Sequence, residues 1–313
     1  METFSEIFMP RRGSTGAADV DALFHFIHIT GFILLAGITI AIIYFCIKYR
    51  RRSDDEVTPI ITHNANLEIT WSVIPLILIL IVFSWGFRGY LTLFTPPSDA
   101  YEINVTASSW LWEFTYPDGG TSANELYVPA NRPVKLIMRS NDVVHSFAVP
   151  DYRVKMDVIP NRYTTLWFEA NEADTSQVYC TEYCGFGHSN MLAQVIALEE
   201  EDWEEWLETG LEVDMDMPLA ELGEETYTSA GCNACHSTDG SPLVGPTFQG
   251  LFGSERPLQD GTTTTADEDY IRESVLDPMA AVVQGFAPSM PSYAGRLSER
   301  EIEGLIEYIK ELE

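Results

Sequence analysis

Two stretches of this chain contain no Asp, Glu, Lys or Arg. One is Ala22–Ile47, 26 residues; the other is Ile69–Phe87, after which apolar residues continue to Phe94. A helix rises about 1.5 Å per residue, so the first run alone can cross a hydrocarbon core of about 30 Å. Pro75 lies inside the second run, a position that membrane helices tolerate. Lys48, Arg50, Arg51 and Arg52 fall between the two runs, and basic loops stay on the cytoplasmic side. The pair therefore reads as a two-helix transmembrane hairpin in contact with membrane lipid. The N-terminus and everything after about Thr95 lie on the outer face. Pro96-Pro97 ends the membrane part. His25 and His28, near the start of the first run, read as interfacial or packing residues, and Cys46 as a small buried hydrophobe. Residues 1–21 are short, mixed and expected to be poorly ordered. No apolar run of signal-peptide length follows Arg11 and Arg12 at once, so a processed leader is not required.

The chain is long enough, at 313 residues, for about two further domains. It carries 18 Lys and Arg against 47 Asp and Glu, a net charge of -29, which argues against nucleic acid as a partner. No Lys or Arg occurs between Arg162 and Arg256, where 19 acidic residues lie. Such a surface can steer a basic partner, or it can serve only solubility or salt adaptation.

Between residues 100 and 198 short β-type runs alternate with turns: Tyr101–Ala107, Val134–Arg139, Thr164–Phe168, Val178–Tyr179 and Gln194–Leu198. This points to an all-β Greek-key sandwich or barrel. Its last part holds Cys180-Thr181-Glu182-Tyr183-Cys184-Gly185-Phe186-Gly187-His188-Ser189-Asn190-Met191. Two thiols, an imidazole and a thioether in twelve residues form a soft ligand set that selects copper. Two thiolates on one loop can each bridge two ions. With a second imidazole they would hold a dinuclear centre suited to electron transfer rather than bond-making. His145, 35 residues upstream at an expected strand end, is the candidate for that imidazole. The bland reading of the two cysteines is a Cys180–Cys184 disulfide.

After an acidic linker, residues 199–220, comes Cys232-Asn233-Ala234-Cys235-His236. C-x-x-C-H attaches c-type haem through two thioethers, with the histidine on iron. No second C-x-x-C follows, so a zinc site lacks ligands. Glu221–Ser229 reads as a helix leading into the motif. Leu297–Leu312 reads as an amphipathic closing helix, with Ile302, Leu305, Ile306 and Ile309 on one face. The sixth ligand is expected from Met290, held between Pro288 and Pro291, in preference to Met279.

His145 together with C-x-E-x-C-x-x-x-H-x-x-M resembles the CuA domain of subunit II of haem–copper cytochrome c oxidases. The C-terminal part is similar to the class I cytochrome c domain fused to that subunit in caa3-type enzymes. The resemblance covers roughly residues 20–310. It implies a multi-domain chain: an extracytoplasmic N-terminal segment (1–21), a transmembrane helical hairpin (22–95), an all-β cupredoxin-like CuA domain (96–198), the linker (199–220) and an all-α class I cytochrome c domain (221–313). By resemblance, Cys180 and Cys184 bridge the coppers, and His145 and His188 bind one each. Met191 is a weak ligand to one copper, and the Glu182 carbonyl to the other. The Glu182 carboxylate reaches a Mg²⁺ shared with subunit I.

Trp110, in Trp110-Leu111-Trp112-Glu113-Phe114-Thr115-Tyr116, matches the family tryptophan through which electrons arrive, although Ser109 replaces the family's usual Gln. Glu68, in the stretch His63 to Trp71, matches the carboxylate at the mouth of a proton channel; its bland reading is an interfacial glutamate. Asp157 and Arg162 would face subunit I, with Asn161 standing where relatives often have Gly. The implied partners are subunit I, subunit III and a cytochrome c or another donor complex. The implied place is a bacterial plasma membrane. The implied function is proton-coupled electron delivery to an oxygen-reducing site that this chain's six histidines do not themselves build. Alternatives are the electron-accepting subunit of a related nitric oxide reductase, or a tethered carrier or copper store without a catalytic partner. The quinol-oxidase branch lacks the copper ligands that are present here.

Overall fold

The computed structural model describes residues 9–57, 60, 62–209 and 216–312. It forms two compact units, Gly16–Thr95 and the remainder. The first is a pair of helices, α1 (Ala17–Lys48) and α2 (Ala65–Phe94). Both exceed the charge-free runs, because polar residues at the ends continue the helix into the cap regions. At the start of α2 the Asn64 side chain accepts from the Leu67 amide at 3.2 Å, and Glu68 Oε1 accepts from the Asn64 amide at 3.2 Å. This reciprocal arrangement satisfies amides that a helix start leaves free. Phe26 meets Trp85 with ring centroids 5.7 Å apart. Most other apolar side chains of the pair, such as Phe32, Ile40 and Phe83, point outward, as a helix surface in lipid requires.

In the second unit, ten strands make a sandwich of two five-stranded sheets, ordered β3-β2-β1-β5-β8 and β4-β10-β9-β6-β7. The first sheet comprises β1 (Tyr101–Ser108), β2 (Leu111–Thr115), β3 (Thr121–Ala123), β5 (Pro133–Ser140) and β8 (Thr164–Glu169). The second comprises β4 (Glu125–Pro129), β6 (His145–Val149), β7 (Val154–Val158), β9 (Asp174–Cys180) and β10 (Leu192–Leu198). Alternation along the strands buries Ile103, Val105 and Ala107 on β1, and Val134, Leu136 and Met138 on β5. Trp112, Phe114 and Phe147 fill the space between the sheets, with Trp112 and Phe147 edge to face at 5.2 Å. Asn161 has a φ of 60°, in the left-handed region that Asn tolerates better than most non-glycine residues.

Two segments outside the strands are tied to the sandwich. Helix α3 (Glu200–Thr209) buries Trp203 and stacks Trp206 on Tyr127, with ring centroids 4.7 Å apart. The acidic linker thus begins as part of the sandwich's packing, and its residues 210–215 lie outside those described. Residues 1–8 of the N-terminal segment lie outside those described, and the part from residue 9 onward departs from the expectation of poor order. The Gly13 amide donates to the Asp151 carbonyl at 2.9 Å, Ser14 bridges Ala170, and Arg11 pairs with Asp174. Its partners lie more than a hundred residues away, so local composition carries no sign of them.

The C-terminal helices are α4 (Leu219–Ser229), α5 (Glu268–Leu276) and α6 (Glu299–Glu311), with a small hairpin of β11 (Glu255–Pro257) and β12 (Thr263–Thr265). Helix α6 starts with a capping box: the Ser298 hydroxyl accepts from the Glu301 amide at 3.3 Å, and the Glu301 carboxylate accepts from the Ser298 amide at 2.7 Å. Ile302, Leu305, Ile306 and Ile309 are all buried. Helices α4 and α6 cross at Gly223 and Gly304, where a β-carbon on Gly223 would lie 2.0 Å from the Gly304 carbonyl oxygen. Gly223→Val should therefore push the helices apart and destabilise this domain by about 3 kcal/mol or more. Thermal unfolding followed at the haem band would show it, and an unchanged midpoint would contradict the packing argument.

Candidate metal centre and haem pocket

The copper loop leaves β9 at Cys180 and rejoins the sheet at Leu192, the first residue of β10. Register supplies the remote histidine: β6 pairs with β9 so that Phe147 lies opposite Cys180, and His145 sits two residues earlier on the same strand. Cys180 Sγ lies 3.7 Å from Cys184 Sγ and 4.0 Å from His145 Nδ1. Cys184 Sγ lies 3.5 Å from His188 Nδ1 and 3.8 Å from Met191 Sδ. The Glu182 carbonyl oxygen is 3.3 Å from Cys180 Sγ. Cys180 and Cys184 stand as free thiols, with no disulfide between them. Among the described residues, the ligand atoms of His145, Cys180 and Cys184 form one buried cluster within 4.8 Å. Two sulfurs at the centre, one imidazole nitrogen facing each and a thioether alongside fit soft copper ions.

Asp142 is the residue that sequence reading missed. Its Oδ1 lies 2.8 Å from His145 Nε2, which leaves Nδ1 facing the sulfurs. The same carboxylate accepts from the Ser109 amide at 2.7 Å and the Val143 amide at 2.7 Å. An Asp three residues before a candidate ligand is the signal that could have found it. Burial would lower the His145 pKa, but the Asp142 hydrogen bond and then Cys180 outweigh it and raise it to about 9. Burial also opposes ionisation of Cys180, yet the His145 hydrogen bond prevails and holds that thiol below its usual range. Cys184 moves up, through burial and then the neighbouring Cys180 charge.

Trp110 follows β1 and lies over this loop, donating from Nε1 to the Cys184 carbonyl at 3.1 Å. A β-carbon on Gly187 would fall 2.5 Å from its ring, so glycine there makes room for the indole. Glu68, in the helical unit, has Oε1 2.9 Å from His63 Nδ1. Asp157 accepts from Ser146 Oγ at 2.8 Å and lines a shallow depression with Lys155 and Arg162.

The C-x-x-C-H turn follows α4 as a short 3-10 segment, Cys232–Ala234. His236 is buried. Its Nδ1 donates to the Pro246 carbonyl at 2.7 Å, so Nε2 is the nitrogen left to face a metal. Phe248 stacks on the ring at 4.7 Å, and burial pushes the His236 pKa down, towards the neutral form that binds a metal. Cys232, Cys235, His236, Phe248 and Met290 line one mainly apolar cavity that also includes Trp110, Leu111 and Met279. Met290 packs on the domain core, whereas Met279 is half exposed. An apolar cavity with two thiols and a tethered imidazole at its wall fits haem c.

Comparison with known proteins places this architecture. The profile described as cytochrome c oxidase subunit II, transmembrane domain, matches residues 3–87, and that of the periplasmic domain matches residues 120–198. The profile described as cytochrome c oxidase, cbb3-type, subunit III, matches residues 218–309. Cytochrome c oxidase subunit 2 of Alkalihalophilus pseudofirmus is 32% identical over 292 residues, covering 89% of this chain and 83% of the relative. The same subunit of a Synechocystis species is 30% identical, covering 64% of this chain and 74% of the relative. The periplasmic domain of subunit II of cytochrome oxidase from Bradyrhizobium japonicum is 29% identical, with a TM-score of 0.36 over 37% of this chain and 96% of that structure. The chain belongs to the cytochrome c oxidase subunit II family, and it carries a cytochrome c domain at its C-terminal end. Its two apolar helices fit a membrane anchor for an extracytoplasmic domain.

Asp142→Asn should weaken copper binding about 10–100-fold, because the partner that orients His145 is lost. A competition titration above about pH 9, where the His145 proton no longer competes, isolates that effect. Equal affinities would remove Asp142 from the site. In the unsubstituted protein copper uptake should tighten as pH rises towards about 9, since His145 must lose its proton to bind. A flat profile across that range would contradict the Asp142–His145 pairing.

Proposed function

We propose that this chain is the electron-accepting subunit of a terminal cytochrome c oxidase, taking electrons at haem c and passing them through a dinuclear copper centre to subunit I. The observation that carries this reading is the convergence of His145, from β6, on the two sulfurs of a loop that starts 35 residues later. Cys180, Cys184, His145, His188, Met191 and the Glu182 carbonyl would hold the copper pair. Cys232, Cys235, His236 and Met290 would hold haem c. Bound there, both groups supply one-electron chemistry. The chain's own residues contribute rigidity: Asp142 orients one imidazole, the Pro246 carbonyl orients the other, and the sandwich holds the thiols at a fixed separation.

Trp110 would pass electrons into the copper loop, a reading supported by its hydrogen bond to the Cys184 carbonyl. Glu68, held by His63 and the Asn64 amide, would be the carboxylate at the mouth of a proton path into subunit I. The exposed Glu182 carboxylate would complete a Mg²⁺ site shared with that subunit. Subunit III and a cytochrome c or another donor complex complete the assembly, in a bacterial plasma membrane with the redox domains outside. Oxygen reduction and proton translocation belong to the complex, which this chain supplies with electrons.

The full chain in detergent, supplied with copper and haem, should show the electron paramagnetic resonance pattern of one electron shared by two copper nuclei, beside a low-spin haem c. A mononuclear copper pattern would overturn the assignment. Met290→Ala should convert the haem to a high-spin or water-ligated spectrum while Met279→Ala leaves it low-spin. The opposite result would move the axial ligand to Met279.

A further inference from the structure

The outward face of β2 carries an anomaly. Strand alternation sends Trp112 and Phe114 into the sandwich core, so Leu111 and Glu113 face away from it. Yet Leu111 is only 6% exposed. What covers it is the turn that carries the haem motif. Gly231, one residue before Cys232, has a φ of 74°, and a β-carbon on it would fall 2.2 Å from Leu111 Cδ1 and 3.1 Å from Asn124 Nδ2. The backbone of the haem-binding turn is therefore seated directly on the outward face of β2 in the copper domain. Two residues further along the same face, Glu113 forms an ion pair with Arg296. Both side chains are mostly covered, at 20% and 30% exposure, so solvent screens the pair less than a surface one. Arg296 lies over the Tyr293 ring at 4.9 Å, and the Tyr293 hydroxyl donates to the Ala230 carbonyl at 2.9 Å. Ala230 adjoins Gly231, so the ion pair and the seat on Leu111 are joined through one tyrosine.

We infer that Glu113 and Arg296, with Gly231 seated on Leu111, are positioning residues that dock the haem-binding turn beside Trp110 and so set the rate of electron transfer from haem c to copper within one chain. The inference rests on the cofactor assignments proposed above. With haem c held by Cys232, Cys235 and His236 and copper held by His145, Cys180 and Cys184, the step would balance as a one-electron transfer, ferrous iron giving up the electron that the copper centre gains. Trp110 is 9% exposed and shares the haem cavity with Cys232 and His236, while its indole nitrogen is bonded to the copper loop. The docked arrangement thus spans the two sites with one side chain. A tether alone keeps a domain at an effective concentration of only about the millimolar range, so a weak latch would leave much of the population undocked. The ion pair and the glycine seat raise the docked fraction. With Trp110 covered by the chain's own cytochrome domain, an external donor must deliver its electron to haem c and not at the tryptophan.

The test uses the full chain in detergent, with copper and haem c both verified by their spectra. Haem c is reduced by a light pulse from a photoactive reductant, and its reoxidation is timed against copper reduction. Glu113→Arg and Arg296→Glu should each slow the transfer by about tenfold or more, as expected when one partner of a covered charge pair is left alone or opposed. The double variant Glu113→Arg with Arg296→Glu should recover much of the rate, which a merely structural defect would not. Gly231→Val, which removes the seat without touching charge, should slow transfer independently. Single variants that transfer at the unsubstituted rate, or a double variant as slow as either single, would overturn the inference. Absence of the shared-electron copper signal or of haem c from the unsubstituted chain would instead overturn the cofactor reading, and the two failures are told apart before any rate is measured.

Discussion

The contact between Asp142 and His145 is the constraint on which the copper site depends. The imidazole ring is fully buried, and a buried ring with one nitrogen unpaired would be both costly and free to choose its orientation. The Asp142 carboxylate takes the Nε2 side at 2.8 Å and thereby commits Nδ1 to the sulfurs. Through the Ser109 amide the same carboxylate also pins the turn that presents Trp110. One acidic side chain thus fixes a metal ligand and the residue that lies over the metal loop. The carboxylate is held ionised: burial works against it, but hydrogen bonds from His145 and the Ser109 and Val143 amides keep its pKa well below the usual range.

The sandwich around this contact acts as a rigid frame. Trp112 lies 6.1 Å from the His145 ring and 5.2 Å from Phe147, so the core packs directly against the ligand strand. Interiors packed at this density resist small displacements, and a centre that passes electrons without making bonds benefits from ligands that do not move. The haem side follows the same logic with other parts. The Pro246 carbonyl aligns His236, and the Tyr227 hydroxyl donates to the His236 carbonyl at 2.5 Å. In both places the atom that fixes the ligand lies at least three residues away and is not a ligand itself.

The membrane hairpin, the copper loop, the C-x-x-C-H turn and the closing amphipathic helix were all legible in the sequence. Each is encoded locally, by a charge-free run, a dense ligand cluster or a helical period. The five β-runs read from residues 100 to 198 all appear as strands, but β2, β3, β4 and β7 were not read, and β6 only as the strand end that carries His145. They are short or edge segments whose pairing partners, such as Gln194 opposite Glu125, lie far along the chain. Helix α5 and the β11–β12 hairpin were missed for a related reason, being short elements within a loop-rich part of the cytochrome domain. The order imposed on Arg11 to Ser14 comes from carboxylates and a strand end beyond residue 150, which no local window contains.

By itself the sequence determined which chemistry this chain carries. Ligand identity resides in side-chain type and close spacing, and Cys180 to Met191 and Cys232 to His236 hold nearly everything their cofactors need. Only the tertiary structure decided how those parts face one another. It set Asp142 behind His145, chose which ring nitrogen meets the sulfurs, and seated Gly231 on Leu111 so that Trp110 borders both sites. The reason is physical. Strand register and domain contacts are sums of many weak non-local interactions, and no short stretch of residues contains enough of them to show the outcome.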